Sequence, residues 1–214
     1  MNKKHILCYG DSNTWGYCAQ TGGRYDDDVR WTCRLQDLLG EGYLVGEAGM
    51  SGRTTVFEDP LNEGLNGLTH LIPAMNHHCP LDLLVIMLGT NDTKERFSAT
   101  PRNITDGLRR LVNKAKGMEL LFNGKPRILI VAPMKIDERL YGEAAVFPGM
   151  GAGCVEKSQA LPALYEALAQ ELGCFYMDCN PHVSPALGDF MHFDLDSNQR
   201  FAKALQQKVL EILG

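Results

Sequence analysis

The run Leu81-Asp82-Leu83-Leu84-Val85-Ile86-Met87-Leu88 is nearly all apolar and ends at Gly89. A strand that is apolar at consecutive positions, rather than at every second position, is buried on both faces, which is typical of a parallel sheet. Four further apolar runs, of which the second is the weakest, lie at residues 5–9, 43–45, 127–132 and 174–177. Together these runs predict five parallel strands.

Helical patterns separate the strands. Apolar residues recur at helical spacing in four segments: residues 29–39 with Asp28 as N-cap and Gly40 as stop, the segment from Pro101 with Thr100 as N-cap, residues 157–172 before Gly173, and residues 197–213. Residues 55–79 and 134–154 show little clear period and are predicted as long loops, which in compact domains often form lids or binding walls. The alternation of strands and helices predicts an α/β fold with helices on both faces of the sheet.

Composition places the chain among ordinary globular proteins. It has 214 residues, of which 44% are hydrophobic and 22% charged, and we expect one domain spanning residues 1–214. The net charge is −5 and no run of Lys or Arg occurs, so we expect neither nucleic acid nor an anionic membrane surface as a partner.

Compartment is indicated by the cysteines and by the absence of apolar targeting signals. No stretch approaches the roughly 18 apolar residues of a membrane-spanning helix, and the first apolar run is broken at Gly10, too early for a signal peptide. The seven cysteines are odd in number and include no C-x-x-C pair, which is typical of free thiols in a reducing compartment. We therefore expect a cytoplasmic protein.

Polar side chains follow the predicted strands. Ser12 comes after the first strand, Ser51-Gly52 after the second, Asn91 after the third, and Asp189 and His192 after the fifth. Because the carboxyl ends of parallel strands meet at one edge of a sheet, we expect these residues to lie along that edge. A serine, an asparagine, an aspartate and a histidine are the residue types of an acyl-transfer site.

Each residue type suits one part of that chemistry. A serine hydroxyl is a weak nucleophile until a base takes its proton, and histidine, with a pKa near 6.5, is the natural base at neutral pH. A carboxylate on the other ring nitrogen orients the imidazole, and Asp189 lies three residues before His192, on the same side of one helical turn. Backbone N–H groups or an asparagine amide can stabilise the oxyanion, and glycines such as Gly52 permit the close backbone approach.

Four segments resemble the sequence blocks of the GDSL, or SGNH, hydrolase family. The blocks are found in the family's order, at residues 6–16 (ILCYGDSNTWG), 50–54 (MSGRT), 89–92 (GTND) and 189–192 (DFMH), so the resemblance covers the chain from residue 6 to residue 192. The strongest resemblance is to bacterial arylesterases and acyltransferases of this family.

The resemblance implies a role for each matching residue. Ser12 would be the nucleophile, His192 the base and Asp189 its orienting carboxylate, while the oxyanion hole would be formed by the N–H groups of Ser12 and Gly52 and the side chain of Asn91. The implied fold is a three-layer α/β/α sandwich like that of flavodoxin, with a five-stranded parallel sheet.

The implied activity is a serine esterase that acts on small acyl groups and uses no cofactor or metal. Transfer of the acyl group to an alcohol is a second outcome known in the family. The resemblance further implies a small-molecule ester as substrate and a homo-oligomer. Two positions depart from the family pattern: Glu47 replaces an asparagine of the second block, and Asn13 replaces the leucine of the family's name.

Several alternatives remain at this point. The same site suits a carbohydrate O-acetylesterase, and a noncatalytic module that binds a small anion or nucleotide on the same scaffold is a hypothesis of another class. The sequence His77-His78-Cys79 is interpreted as a solvated turn rather than a metal site. Four large side chains either line an acyl pocket or pack in the core: Trp15, Met134, Phe147 and Phe193.

Overall fold

The computed structural model describes residues 3–142 and 149–214. Its strands are β1 (Lys4–Gly10), β2 (Tyr43–Gly49), β3 (Leu83–Met87), β4 (Ile128–Ala132) and β5 (Phe175–Asp178). They form one sheet in the order β2-β1-β3-β4-β5, and every neighbouring pair is parallel. The predicted five-stranded parallel sheet is confirmed.

Helices connect the strands. The α-helices of the described residues are α1 (Ser12–Trp15), α2 (Trp31–Leu39), α3 (Gly67–His78), α4 (Pro101–Lys116), α5 (Arg139–Gly142), α6 (Cys154–Leu172) and α7 (Leu195–Leu213). Short 3₁₀ turns lie at Asn91–Thr93, Glu95–Phe97, Glu119–Leu121 and Asn180–His182.

The starts of α4 and α2 test the two predicted N-caps, and one of the two is confirmed. Thr100 caps α4 in a reciprocal capping box with Asn103, as its position before Pro101 predicted. The prediction that Asp28 caps α2 is wrong, since the helix begins at Trp31 and the preceding Arg30 makes no side-chain cap. The N–H groups of Val29 and Arg30 instead bond to the carbonyl of Asp26, so a turn occupies this stretch.

Helix α3 lies in the segment that was predicted as a loop, and that prediction is wrong. Asn66 caps it by accepting hydrogen bonds from two backbone N–H groups, and Leu71 and Met75 are fully buried. The helix contains Gly67 and Pro73, two weak helix formers, so its tertiary packing outweighs its weak local propensity. His77 and His78 form its last turn rather than a solvated turn of their own.

Two apolar layers sandwich the sheet. Alternate residues of β1 face opposite sides, so that Leu7 and Tyr9 pack with α3, α4 and α6, whereas Ile6 and Cys8 pack with α2 and α7. The architecture is therefore a three-layer α/β/α sandwich, as the resemblance implied. Within residues 3–142 and 149–214, no helix combines the length and apolar character needed to cross a bilayer.

The order of the strands predicts where on the sheet a ligand would bind. Beyond β1 the chain crosses to β2 on one side, and β3 pairs with β1 on the other, so the order reverses between β1 and β3. Ligands in open α/β sheets bind in the crevice at such a switch point, outside the carboxyl ends of the strands. Ser12 and Asn91 follow these two strands directly.

Candidate active site

Ser12 lies at the start of α1, immediately beyond β1. The carboxylate of Asp11 accepts a hydrogen bond from the Asn13 N–H at 3.0 Å and caps this single turn. Gly10 is required where strand and helix meet, because a Cβ there would lie 2.0 Å from Thr14 Oγ1 and 2.8 Å from the carbonyl of Met87. As the first residue of a helix, Ser12 has a backbone N–H without an intrahelical acceptor.

A hydrogen-bonded chain joins Ser12 to two residues at the far end of the sequence. Ser12 Oγ lies 2.7 Å from His192 Nε2, and His192 Nδ1 lies 2.7 Å from Asp189 Oδ2. Since an ionised carboxylate only accepts hydrogen bonds, Nδ1 carries the proton and Nε2 is left to accept from the serine hydroxyl. All three side chains are buried, which excludes competing water from the chain of bonds.

Asp189 is held ionised by its hydrogen bonds. Burial on its own raises the pKa of this carboxyl, but the hydrogen bond from His192 and the N–H groups of Met191 and His192, each 3.0 Å from Oδ1, bring the pKa below its ordinary value. An ionised Asp189 stabilises an imidazolium at His192 and fixes its ring orientation.

Asn13 clamps the histidine segment to the serine turn. Its side-chain Oδ1 accepts from the N–H of Phe193 at 2.9 Å, and its Nδ2 donates to the carbonyl of Met191 at 3.3 Å. One buried amide, directly after Ser12, therefore holds the peptide groups on both sides of His192. The departure from the family's leucine thus adds a polar contact between the two halves of the site.

The second predicted departure, Glu47, is also accounted for. This side chain on β2 accepts two hydrogen bonds from the guanidinium of Arg30, at 3.0 and 3.2 Å, and one from Thr32. Burial opposes ionisation, but these bonds bring the pKa of Glu47 below its ordinary value. Glu47 thus fastens β2 to the start of α2.

Gly52 and Asn91 lie on the same pocket as Ser12 and His192. Gly52 has a φ of +86°, which favours glycine, and the side chain of Asn91 donates to the Arg53 carbonyl at 3.1 Å. Asp92, next to Asn91, accepts the N–H of Thr55 at 2.9 Å and so ties the second and third sequence blocks together. The structure brings all five predicted site residues to one place.

The pocket has a volume of about 190 Å³. Sequence reasoning missed three residues that line it, because nothing in their local pattern marks them: Tyr17, Lys94 and Arg96. Met150, in the loop predicted as a lid or binding wall, and Met191, inside the block at residues 189–192, also line it. Tyr17 packs against the His192 ring with centroids 4.3 Å apart.

Three of the four side chains considered as pocket walls do not line this pocket: Trp15, Met134 and Phe193. Met134 and Phe193 belong to the buried core beside α7, so the core alternative is correct for both. Trp15 instead lies beneath the guanidinium of Arg24, 5.3 Å from its ring centroid. Phe147 is outside the residues that the structure describes.

Comparisons with known proteins agree with this geometry. The family model described as GDSL-like lipase/acylhydrolase matches residues 8–199. The structure of Est24, a carbohydrate acetylesterase from Sinorhizobium meliloti, is 37% identical with a TM-score of 0.88 and covers 99% of this chain and 100% of its own. The native aryl esterase of M. smegmatis is 35% identical with a TM-score of 0.88, covering 98% and 100%. A search of curated protein sequences finds no match.

Proposed function

This chain is a carboxylic ester hydrolase of the GDSL-like lipase/acylhydrolase family, and from that premise we propose that it hydrolyses esters of small acyl groups through an acyl-enzyme on Ser12. The observation that carries the proposal is the chain of two 2.7 Å contacts from Ser12 Oγ through the His192 ring to Asp189. It supplies a nucleophile, a base and an orienting carboxylate in contact before any substrate binds.

In the first half-reaction, Ser12 Oγ forms a bond to the ester carbonyl carbon while its proton passes to His192 Nε2. The negative charge on the carbonyl oxygen is met by the N–H groups of Ser12 and Gly52 and by the amide of Asn91. The bond to the alcohol then breaks, and His192 Nε2 gives its proton to the departing oxygen. Asp189 stabilises the imidazolium throughout.

In the second half-reaction, water attacks the acyl carbon and gives a proton to His192 Nε2. The bond to Ser12 Oγ breaks, the serine recovers its proton from the imidazolium, and the carboxylic acid leaves. An alcohol in place of water would receive the acyl group instead, which makes acyl transfer part of the proposal.

The size of the pocket supports small acyl groups, acetyl above all. Its volume of about 190 Å³ is below the roughly 300–1,000 Å³ of sites that enclose drug-sized ligands. Met150 and Met191 provide apolar contact for a methyl group, and most of the other lining residues carry a polar group.

The test is hydrolysis of an aryl acetate by the wild type, Ser12→Ala and His192→Ala. We expect each variant to lose at least about 1,000-fold in kcat, because the nucleophile and base act as a unit. Ser51→Ala is the matched control, since this serine lines the same pocket but has no part in the proposed chain. A fluorophosphonate should label the wild type and Ser51→Ala stoichiometrically and leave Ser12→Ala unlabelled. Equal rates in wild type and Ser12→Ala would refute the proposal, and failure to label the wild type would favour a noncatalytic binding module.

A second candidate is a carbohydrate O-acetylesterase that uses the same residues. The similarity to the Sinorhizobium meliloti carbohydrate acetylesterase favours it. A panel of acetylated sugars and aryl acetates separates the two, since kcat/KM should be higher on the sugars if they are the natural class. The same panel, repeated with an added alcohol, measures the share of acyl groups transferred rather than hydrolysed.

A further inference from the structure

Lys94 is the most buried lysine of the chain, with 9% of its surface exposed, and it lies three residues after Asn91 on the wall of the site pocket. Its ammonium is not fully sealed from solvent, and Lys94 is one of the residues that line the pocket. An ammonium is a compact, strongly hydrated charge with three donors, so taking it out of bulk water is costly unless acceptors are supplied.

The protein supplies Lys94 with no such acceptor among the residues that the structure describes: its Nζ makes neither a hydrogen bond nor an ion pair there. Less buried lysines of the same chain do have partners. Lys157 Nζ donates to the Thr93 carbonyl at 3.1 Å, and Lys208 pairs with Glu211 at 3.1 Å. Lys4 and Lys116, which are also not exposed, donate to the carbonyls of Leu213 and Leu172. Among the described lysines that are not exposed, Lys94 is thus the one without a partner, and the others that lack one are exposed to solvent.

The neighbouring charges are already engaged. Arg96, also on the pocket wall, pairs with the buried carboxylate of Asp59 at 2.7 Å and donates to the Gly149 carbonyl at 3.1 Å. The buried carboxyls of Asp11 and Asp92 favour the charged form of Lys94 from a distance, but their oxygens accept hydrogen bonds from the N–H groups of Asn13 and Thr55 rather than from Lys94. Within residues 3–142 and 149–214, Lys94 is therefore left without a direct hydrogen-bond or ion-pair partner, on the same pocket as Ser12.

We propose that Lys94 binds an anionic oxygen group of the substrate, so that the preferred substrates are acetyl esters whose alcohol or phenol portion carries a carboxylate. The inference rests on the proposed function. Because the small pocket favours acetyl as the acyl group, and acetyl carries no charge, the anionic group must belong to the alcohol or phenol portion of the substrate. Burial lowers the pKa of the free lysine, and an anion brought against it would favour the ammonium form.

The experiment compares meta- and para-acetoxybenzoate with the matching acetoxybenzamides, which have the same shape without the charge. The readout is the ratio of kcat/KM for the carboxylate to kcat/KM for the amide, in each protein. Comparing this ratio between proteins cancels the difference in leaving-group chemistry. The proteins are the wild type, Lys94→Gln and, as a matched control, Lys135→Gln, whose lysine is exposed and outside the pocket.

A charge-assisted hydrogen bond contributes about 1.5–3 kcal/mol, which converts to a change of about 10- to 100-fold. We expect the ratio to fall by that factor in Lys94→Gln for at least one isomer and to stay within about twofold in Lys135→Gln. A ratio that is unchanged in Lys94→Gln for both isomers would overturn the proposal. If the wild type still hydrolysed the ester bond of the neutral acetoxybenzamides and Ser12→Ala did not, the proposed esterase function would hold although the role of Lys94 had failed.

A second measurement needs no variant and covers the case in which Lys94→Gln does not fold. Hydroxybenzoate and hydroxybenzamide, the products of the two ester classes, are compared as competitive inhibitors of the wild type. We expect the carboxylate to inhibit at least about 10-fold more tightly. Equal inhibition by both compounds would contradict the assignment of Lys94 as the anion-binding group.

Discussion

Replacing Asn13 by leucine, the residue that the family's name places there, should lower both the stability and the turnover of this protein. The substitution removes the 2.9 Å bond from the Phe193 N–H and the 3.3 Å bond to the Met191 carbonyl. Both flanking residues are buried, so the two peptide groups would be left without partners.

The expected magnitude follows from these two losses. Each unsatisfied buried group costs about 1–3 kcal/mol, and burying the leucine side chain returns about 1.5–3 kcal/mol. We expect the free energy of unfolding to fall by about 1–3 kcal/mol. Since His192 lies between the released peptides, its ring would lose its fixed 2.7 Å approach to Ser12, and a displacement near 1 Å costs up to about 100-fold in rate.

The assay combines urea unfolding at neutral pH with steady-state hydrolysis of an aryl acetate. We expect kcat to fall by about 10- to 100-fold with a smaller change in KM, because the clamp positions the base rather than the substrate. Asn76→Leu is the control: this exposed asparagine on α3 makes one bond to its own helix, and its loss should change neither quantity much. Wild-type stability and kcat in Asn13→Leu would refute the role given to the clamp.

Two further predictions concern charged groups away from the reacting atoms. Burial raises the pKa of Asp92 from 3.8 to about 6, so its stabilising contribution is complete below about pH 4 and decreases by about 3 kcal/mol as the pH rises past 6. Unfolding of Asp92→Asn, measured between pH 4 and 7, should lack this decrease, and an identical pH profile in both proteins would show that Asp92 is not its source. Arg30→Ala should lower the free energy of unfolding by about 1–3 kcal/mol, because it leaves the half-buried Glu47 with fewer donors. Lys208→Ala, which breaks an exposed pair, should cost less than about 0.5 kcal/mol, and equal losses in the two variants would contradict the argument.

Local signals explain which elements the sequence predicted. The strand within residues 81–88 is marked by consecutive apolar residues, and the helix after Thr100 by its capping residue. Both signals lie within a few positions of the chain, and both elements are found as predicted. Helix α3 was missed because it contains Gly67 and Pro73, and only its contacts with the sheet and α4 outweigh that propensity. The start of α2 was misplaced because a turn from Asp26 replaces the expected cap.

The sequence by itself determined the parallel sheet, the edge at which the polar residues gather and the identity of the five candidate residues, since strand periodicity, turn residues and motif order are local properties. Only the tertiary structure decided that Asn13 bonds to the peptide groups on both sides of a histidine about 180 positions away, and that Lys94 lies on the pocket wall with no direct partner among the described residues. The reason is physical: a hydrogen bond or a missing counter-charge depends on distances between segments that are remote in the chain, and those distances are set by packing rather than by any neighbouring residue.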